Sequence, residues 1–340
     1  MTRRTDPTMK TDLPVVTFGR TDLEITRVGF GAWAIGGARR GEWANGWGAQ
    51  DDDESLAAIR HGIERGVNWI DTAAIYGLGH SEEVVGRAIR DFAVEDRPYV
   101  FTKGGVVWDD DDHSTPSRKM ANPESLKREV DDSLRRLGVE QIDLYQVHWP
   151  TEDGTPINDY WQAMLDIKAS GKVRAVGLSN HTVIQLEIAE GLGHVDSLQP
   201  KFSAIAPQSA SDVLPWCAAH ETASIVYSPM GSGLLSGAFT AERVAGLDDG
   251  DWRRSNDEFT IRLDQNLAIG AALGRVAERH DVSQAAAAVA WTLGFRGVTG
   301  AIVGARRPDQ IDGWLAAASL ELTDEDYAEV RAAGVAASPE

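Results

Sequence analysis

Apolar and polar positions alternate with two different periods along this chain, and the two periods take turns. Short apolar runs, rich in Val and Ile and bounded by Gly, Asn or charged residues, lie at 26–32, 67–72, 99–103, 142–148, 175–179, 195–199, 224–228 and 299–304. Each has the length and composition of a strand buried on both faces. Between them, apolar residues recur every three to four positions at 52–65, 81–90, 123–136, 158–169, 182–190, 210–220, 265–279 and 308–318, which predicts amphipathic helices. Strict strand–helix alternation predicts parallel strands joined by helical crossovers. Eight such units fit a closed (β/α)₈ barrel better than an open doubly wound sheet.

Three stretches interrupt the repeat. Residues 13–25 read as a hairpin with Gly19 at its turn, placed to plug the barrel bottom. Residues 231–264 form a long insertion after the seventh strand, the kind of segment that serves as a lid or binding loop. Residues 283–293 predict an extra helix, with Ser283 as its N-cap. Residues 1–12 read as a frayed tail without a secretory pattern. With no low-complexity linker in the chain, residues 13–335 are expected to form one barrel domain.

Composition narrows the function classes. The 340 residues carry a net charge of −19, which disfavours nucleic-acid binding because phosphate neutralisation needs a basic face. A surface this acidic is strongly solvated and also fits adaptation to high salt, which predicts stability rising towards molar salt. No apolar run is long enough to cross a membrane as a helix. The lone cysteine, Cys217, supports neither a disulfide framework nor a thiolate metal site within one chain. A cytoplasmic location and no metal requirement are the expectations.

The candidate chemistry lies at the strand ends. Asp71 ends the second strand, Tyr76 follows it after a short loop, Lys103 ends the third and His148 the fourth. Strand C-termini of a barrel open onto one face, so these four groups are expected to converge there. Singly, each has an ordinary alternative: a helix cap, a surface phenol, a solvated ammonium, a hydrogen-bonded core imidazole. Together they make a proton-transfer set. A phenol beside an ammonium is expected to have a lowered pKa, with Asp71 holding the ammonium charged and His148 orienting a carbonyl oxygen.

The motifs in which these residues are embedded are more specific. They include Gly29-Phe30-Gly31-Ala32-Trp33, Trp69-Ile70-Asp71-Thr72-Ala73-Ala74-Ile75-Tyr76-Gly77 and Val100-Phe101-Thr102-Lys103. Further on come Asp143-Leu144-Tyr145-Gln146-Val147-His148-Trp149-Pro150, Val176-Gly177-Leu178-Ser179-Asn180, Gln199, Tyr227-Ser228-Pro229 and Ile302-Val303-Gly304-Ala305-Arg306-Arg307. In order and spacing this set resembles the aldo-keto reductase superfamily over nearly the whole chain. The resemblance implies a (β/α)₈ barrel that reduces aldehydes or ketones with NADPH, with Asp71, Tyr76, Lys103 and His148 as its tetrad.

By the same resemblance, Gly31, Ala32, Trp33 and Asp71 border the cofactor. Ser179, Asn180 and Gln199 hydrogen-bond the nicotinamide carboxamide, and Tyr227 stacks on the ring. Ser228, Pro229, Gly231, Gly233 and Leu234 match the pyrophosphate loop, and Gly304, Arg306 and Gln310 the 2′-phosphate region, which favours NADPH over NADH. Gly313-Trp314 stands where family members often carry Glu-Asn against adenine. Trp33, Trp47, Tyr76, Trp108, His148 and Trp149 are expected to line a substrate pocket whose indole faces suit sugar, steroid or aryl surfaces. Carbonyl reduction is the leading expectation. The same site running in reverse on a sugar or polyol hydroxyl, a non-catalytic nicotinamide-binding sensor or subunit, and a non-redox barrel enzyme are the alternatives.

Overall fold

In a computed structural model, which describes residues 11–37, 47–113, 115–249 and 251–336, eight parallel strands close into a barrel. The expected tail largely lies outside the described residues. A short antiparallel hairpin, β1 (Val15–Thr17) and β2 (Glu24–Thr26), precedes the barrel. The barrel strands are β3 (Val28–Gly31), β4 (Trp69–Asp71), β5 (Tyr99–Gly104), β8 (Ile142–Val147), β9 (Val173–Ser179), β10 (Ser197–Gln199), β11 (Ala223–Val226) and β12 (Gly300–Gly304), with β12 closing on β3. A second hairpin, β6 (Val106–Val107) with β7 (Arg118–Lys119), rises from the loop after β5.

Helices cover the barrel: α1 (Asp52–Glu64), α2 (His80–Ile89), α3 (Pro123–Leu137), α4 (Ile157–Ala169), α5 (Val183–Glu190) and α6 (Val213–His220). The insertion carries α7 (Ala241–Ala245) and two single 3₁₀ turns. Then come α8 (Leu263–Arg279), α9 (Gln284–Leu293), α10 (Pro308–Trp314) and α11 (Asp324–Ala336). Start signals match the sequence: Asp51 accepts from the N–H groups of Asp53 and Glu54, Asn122 precedes Pro123, and Thr182 with Gln185 makes a capping box.

One assignment is reversed. Residues 265–279 were expected to be the crossover helix and 283–293 the extra one. It is α9 that packs on β12, with every residue from Ala286 to Leu293 buried, while α8 lies outside it against α9 and α11. An amphipathic pattern marks a helix with one solvated face, whereas the all-apolar helix belongs next to the sheet.

The barrel bottom is plugged as expected. Phe18, Leu23 and Ile25 of the hairpin join Trp69, Phe101, Leu144, Ala175 and Ile225 in one buried cluster. Asn68 ties the hairpin down: its Oδ1 accepts from the Thr26 N–H at 2.8 Å and its Nδ2 donates to the Glu24 carbonyl at 2.8 Å. The Trp69 indole donates to the Thr26 carbonyl at 2.7 Å and lies against Gly29, where an added Cβ would come within 2.1 Å of the ring. Among the described residues, no helix is long and apolar enough to cross a membrane.

Candidate active site

The open end of the barrel leads into a cavity of ≈ 1210 Å³. That exceeds the usual ~300–1,000 Å³ of a site for one small molecule. Asp71, Tyr76 and His148 line it, and Lys103 lies directly beneath, 1% exposed. Parallel register explains the meeting: Asp71 pairs with Phe101, Lys103 with Gln146, and His148 follows the last residue of β8. Tyr76 is brought back over the strand ends by a turn in which Gly77, Leu78 and Gly79 all have positive φ. A Cβ at Gly77 would stand 2.1 Å from the Gly36 carbonyl oxygen, so the turn requires glycine there.

The Lys103 ammonium donates to Asp71 Oδ1 at 2.6 Å, to the Thr72 carbonyl at 2.9 Å and to Tyr76 Oη at 3.4 Å. The other Asp71 oxygen accepts from Gln199 Nε2 at 2.9 Å, and that amide also reaches Gln146 Oε1 at 2.9 Å. The His148 ring stands edge-on to Tyr76 with centroids 5.6 Å apart, and its Nδ1 is buried without a protein partner. Such an orphaned nitrogen is what a bound polar group would satisfy.

Burial dominates the ionisation of these groups and corrects one expectation. It pushes the Tyr76 phenol well above its ordinary value, and the neighbouring Asp71 carboxylate adds to the rise. The expected lowering by Lys103 does not prevail, because the ammonium is held by Asp71 and meets the phenol only at long range. Burial lowers the Lys103 ammonium, opposed by Asp71, and raises the Asp71 carboxyl, opposed by Lys103. His148 is driven well below an ordinary imidazole by burial and then by the Lys103 charge.

Next to this set, Asn180 has φ +63° and links three residues: its Nδ2 donates to the His148 carbonyl at 3.1 Å and to Ser179 Oγ at 3.0 Å, and its Oδ1 accepts from the Tyr227 hydroxyl at 2.8 Å. Ser179 Oγ donates to the Gln199 carbonyl at 2.9 Å. Behind them, His181 bridges the Ser179 carbonyl at 2.8 Å and the Tyr160 hydroxyl at 2.9 Å; burial lowers its pKa to about 4.

Of the other residues singled out, Gly31, Trp33, Trp47, Trp149, Ser228, Pro229, Gly233, Gly304, Arg306 and Gln310 line the cavity. Ala32, Gly231 and Leu234 do not, and the N–H groups of Gly231, Gly233 and Leu234 donate within their own loop. Trp108 also lies off the lining: its indole donates to Asp110 and its ring meets Arg136. Arg307 pairs with Asp309, and Trp314 is buried at the cavity wall with its indole N–H unpartnered.

Several contributors went unnoticed in the sequence. Gln146 shares the inward face of β8 with Leu144 and His148, so its period-two position was a readable signal. Trp252 has no such signal; it comes from the insertion and packs against Trp33 at 6.1 Å and Trp47 at 5.9 Å. The insertion also sends Phe239, Arg243, Arg253 and Asn256 to the cavity. Charged lining side chains are Lys119, Arg243, Arg253, Arg306 and Arg307 against Asp71 and Glu152, an excess of cations in a chain of net charge −19.

A sequence profile described as the Aldo/keto reductase family matches residues 27–334. The chain belongs to the aldo/keto reductase family. Its members are oxidoreductases, and similar proteins carry such names. Aldo-keto reductase YhdN of Bacillus subtilis is 31% identical over 312 residues, 91% of this chain and 90% of that protein. The NADH-specific methylglyoxal reductase of Escherichia coli is 30% identical, covering 92% of this chain and 95% of the relative. Among solved structures, the glycerol dehydrogenase AKR11B4 of Gluconobacter oxydans superposes with a TM-score of 0.86 at 33% identity, over 96% of each chain.

Proposed function

We propose that this aldo/keto reductase, acting as one barrel unit over residues 13–335, reduces an aldehyde or ketone to the alcohol with NADPH, with Tyr76 as the general acid. The observation that carries this reading is the meeting of a phenol, an ammonium, a carboxylate and an imidazole at one cavity mouth. The cavity fits a dinucleotide in size and in its excess of cations, which suits a phosphate-bearing ligand. The cofactor, when bound, supplies the hydride that no side chain can.

The chain's own residues do the rest. Tyr76, protonated because burial raises its pKa, holds the proton at Oη that a carbonyl oxygen takes up. Lys103 steadies Oη from 3.4 Å, and Asp71 fixes Lys103. His148, neutral, offers its one ring N–H to orient the substrate oxygen. Ser179, Asn180 and Gln199 supply hydroxyl and amide groups for the nicotinamide carboxamide, and Tyr227 a flat face for its ring. Arg306 and Arg307 favour a 2′-phosphate, which argues for NADPH, whereas the E. coli relative is NADH-specific by name. Trp33, Trp47, Trp149 and Trp252 give the substrate an aromatic wall.

Kinetic comparison of both dinucleotides across a carbonyl panel tests the reading. Turnover with NADPH preferred over NADH is the expected result. Dinucleotide binding without turnover of any carbonyl or alcohol would favour a sensor instead. The likeness to a glycerol dehydrogenase supports one second reading, the same site oxidising a polyol with NADP⁺.

A further inference from the structure

The Arg306 guanidinium, offered above to a phosphate, is already engaged. Its Nε donates to Gln50 Oε1, its Nη1 to the Trp47 carbonyl at 3.2 Å and its Nη2 to the Ala49 carbonyl. Gln50 Nε2 returns a bond to the Arg306 carbonyl at 3.2 Å. Three of the donors in a rigid planar fork are thus committed to one stretch of four residues. All three acceptors are neutral oxygens, whereas a phosphate would add an opposite charge and a bidentate geometry.

The clamped stretch begins with Trp47, whose ring meets Trp33 edge-on at 5.3 Å, and Trp33 faces Tyr76 at 6.4 Å. One guanidinium therefore holds, from the phosphate end of the cavity, the backbone that places an indole at the substrate end. A ligand that moves the guanidinium must loosen that indole.

We propose, resting on the nicotinamide-dinucleotide reading, that Gln50 is a specificity-determining residue and Arg306 a positioning residue acting through Trp47. A 2′-phosphate that engages the Nε–Nη2 edge of the fork must draw Arg306 away from Gln50 and Ala49, and with them from Trp47. The gain in phosphate contact is offset by a loosened aromatic wall. NADH leaves the clamp closed, so the chain accepts both dinucleotides and its preference for NADPH is narrower than its two arginines alone would give.

Tryptophan-fluorescence titration of the full chain tests the first half. Gln50→Ala is expected to tighten NADPH about fivefold or more while NADH moves less than about twofold. Parallel movement of both, no movement, or weaker NADPH overturns the proposal. The second half is read with NADH as cofactor, which gives Arg306 no 2′-phosphate to touch. Arg306→Ala is expected to raise the KM of the best carbonyl substrate about fivefold or more, a larger change than in kcat, with Arg306→Lys restoring part of it. An unchanged KM, or a wild type that NADH cannot support, overturns it. A wild type that binds neither dinucleotide sinks the functional reading itself; one that binds both, with Gln50→Ala silent, sinks this inference alone.

Discussion

Lys103 Nζ lies 2.6 Å from Asp71 Oδ1 and 3.4 Å from Tyr76 Oη, so the ammonium belongs first to the carboxylate and only second to the phenol. The lysine therefore orients the tyrosine rather than acidifying it, and in the proposed reaction Tyr76 enters as a proton donor.

Tyr76→Phe removes that proton and little else. Turnover should fall by roughly 10²–10⁴ or more, while dinucleotide affinity measured by tryptophan quenching stays within about twofold. Retained turnover in the variant would show that another group donates.

Lys103→Met leaves the Asp71 carboxyl buried without its cation. Removing one partner of a buried pair typically costs about 3–5 kcal/mol. Pairing the change with Asp71→Asn should recover much of that stability in denaturant titration, and none of the activity. A double variant as unstable as the single would locate the cost elsewhere.

His148 ionises well below its ordinary pKa, so it stays neutral across the mildly acidic and neutral range. A pH profile of kcat/KM for carbonyl reduction should carry no imidazole break from this residue near pH ~6.5. A break there in the wild type that vanishes in His148→Gln would contradict the assignment.

His181 affects stability in the same range. Its folded pKa of about 4 lies below the ordinary imidazole value, so between the two the unfolded chain binds a proton that the folded chain does not. Stability from this group is complete above pH ~6.5 and is lost as pH falls towards 4, by about 3 kcal/mol in all. Denaturant midpoints of His181→Gln should fall less steeply with acid than those of the wild type.

Trp252 joins two aromatic contacts at the cavity wall. At about 0.5–1.5 kcal/mol per pair, Trp252→Ala should raise substrate KM roughly five- to 150-fold with a smaller effect on kcat. An unchanged KM for every carbonyl in the panel would remove the insertion from the substrate site.

The barrel was legible because its strands are apolar and several carry a polar group at or next to their C-terminal end, as Ile70-Asp71 and Lys103-Gly104 do. The tetrad followed from those ends. What stayed hidden has physical causes. The β6–β7 pairing rests on two residues per strand, too short for any period to register. Helix α11 was missed although it is anchored by Asp326, which receives Arg279 at 2.6 Å and His280 at 2.8 Å; these contacts cross more than forty residues. The engagement of Arg306 by Gln50 spans 256 positions and leaves no local trace. Trp108 is an aromatic after a strand end like Trp33 and Trp149, but Asp110 and Arg136 hold it elsewhere.

Gly29 and Trp69 interlock so closely inside the barrel that neither position can drift by itself. A methyl at 29 collides with the indole, and a smaller side chain at 69 opens a hole worth about 3–5 kcal/mol. A small residue at 69 would leave room for a side chain at 29, so a change at either position alone is expected to cost more than the matched exchange of both.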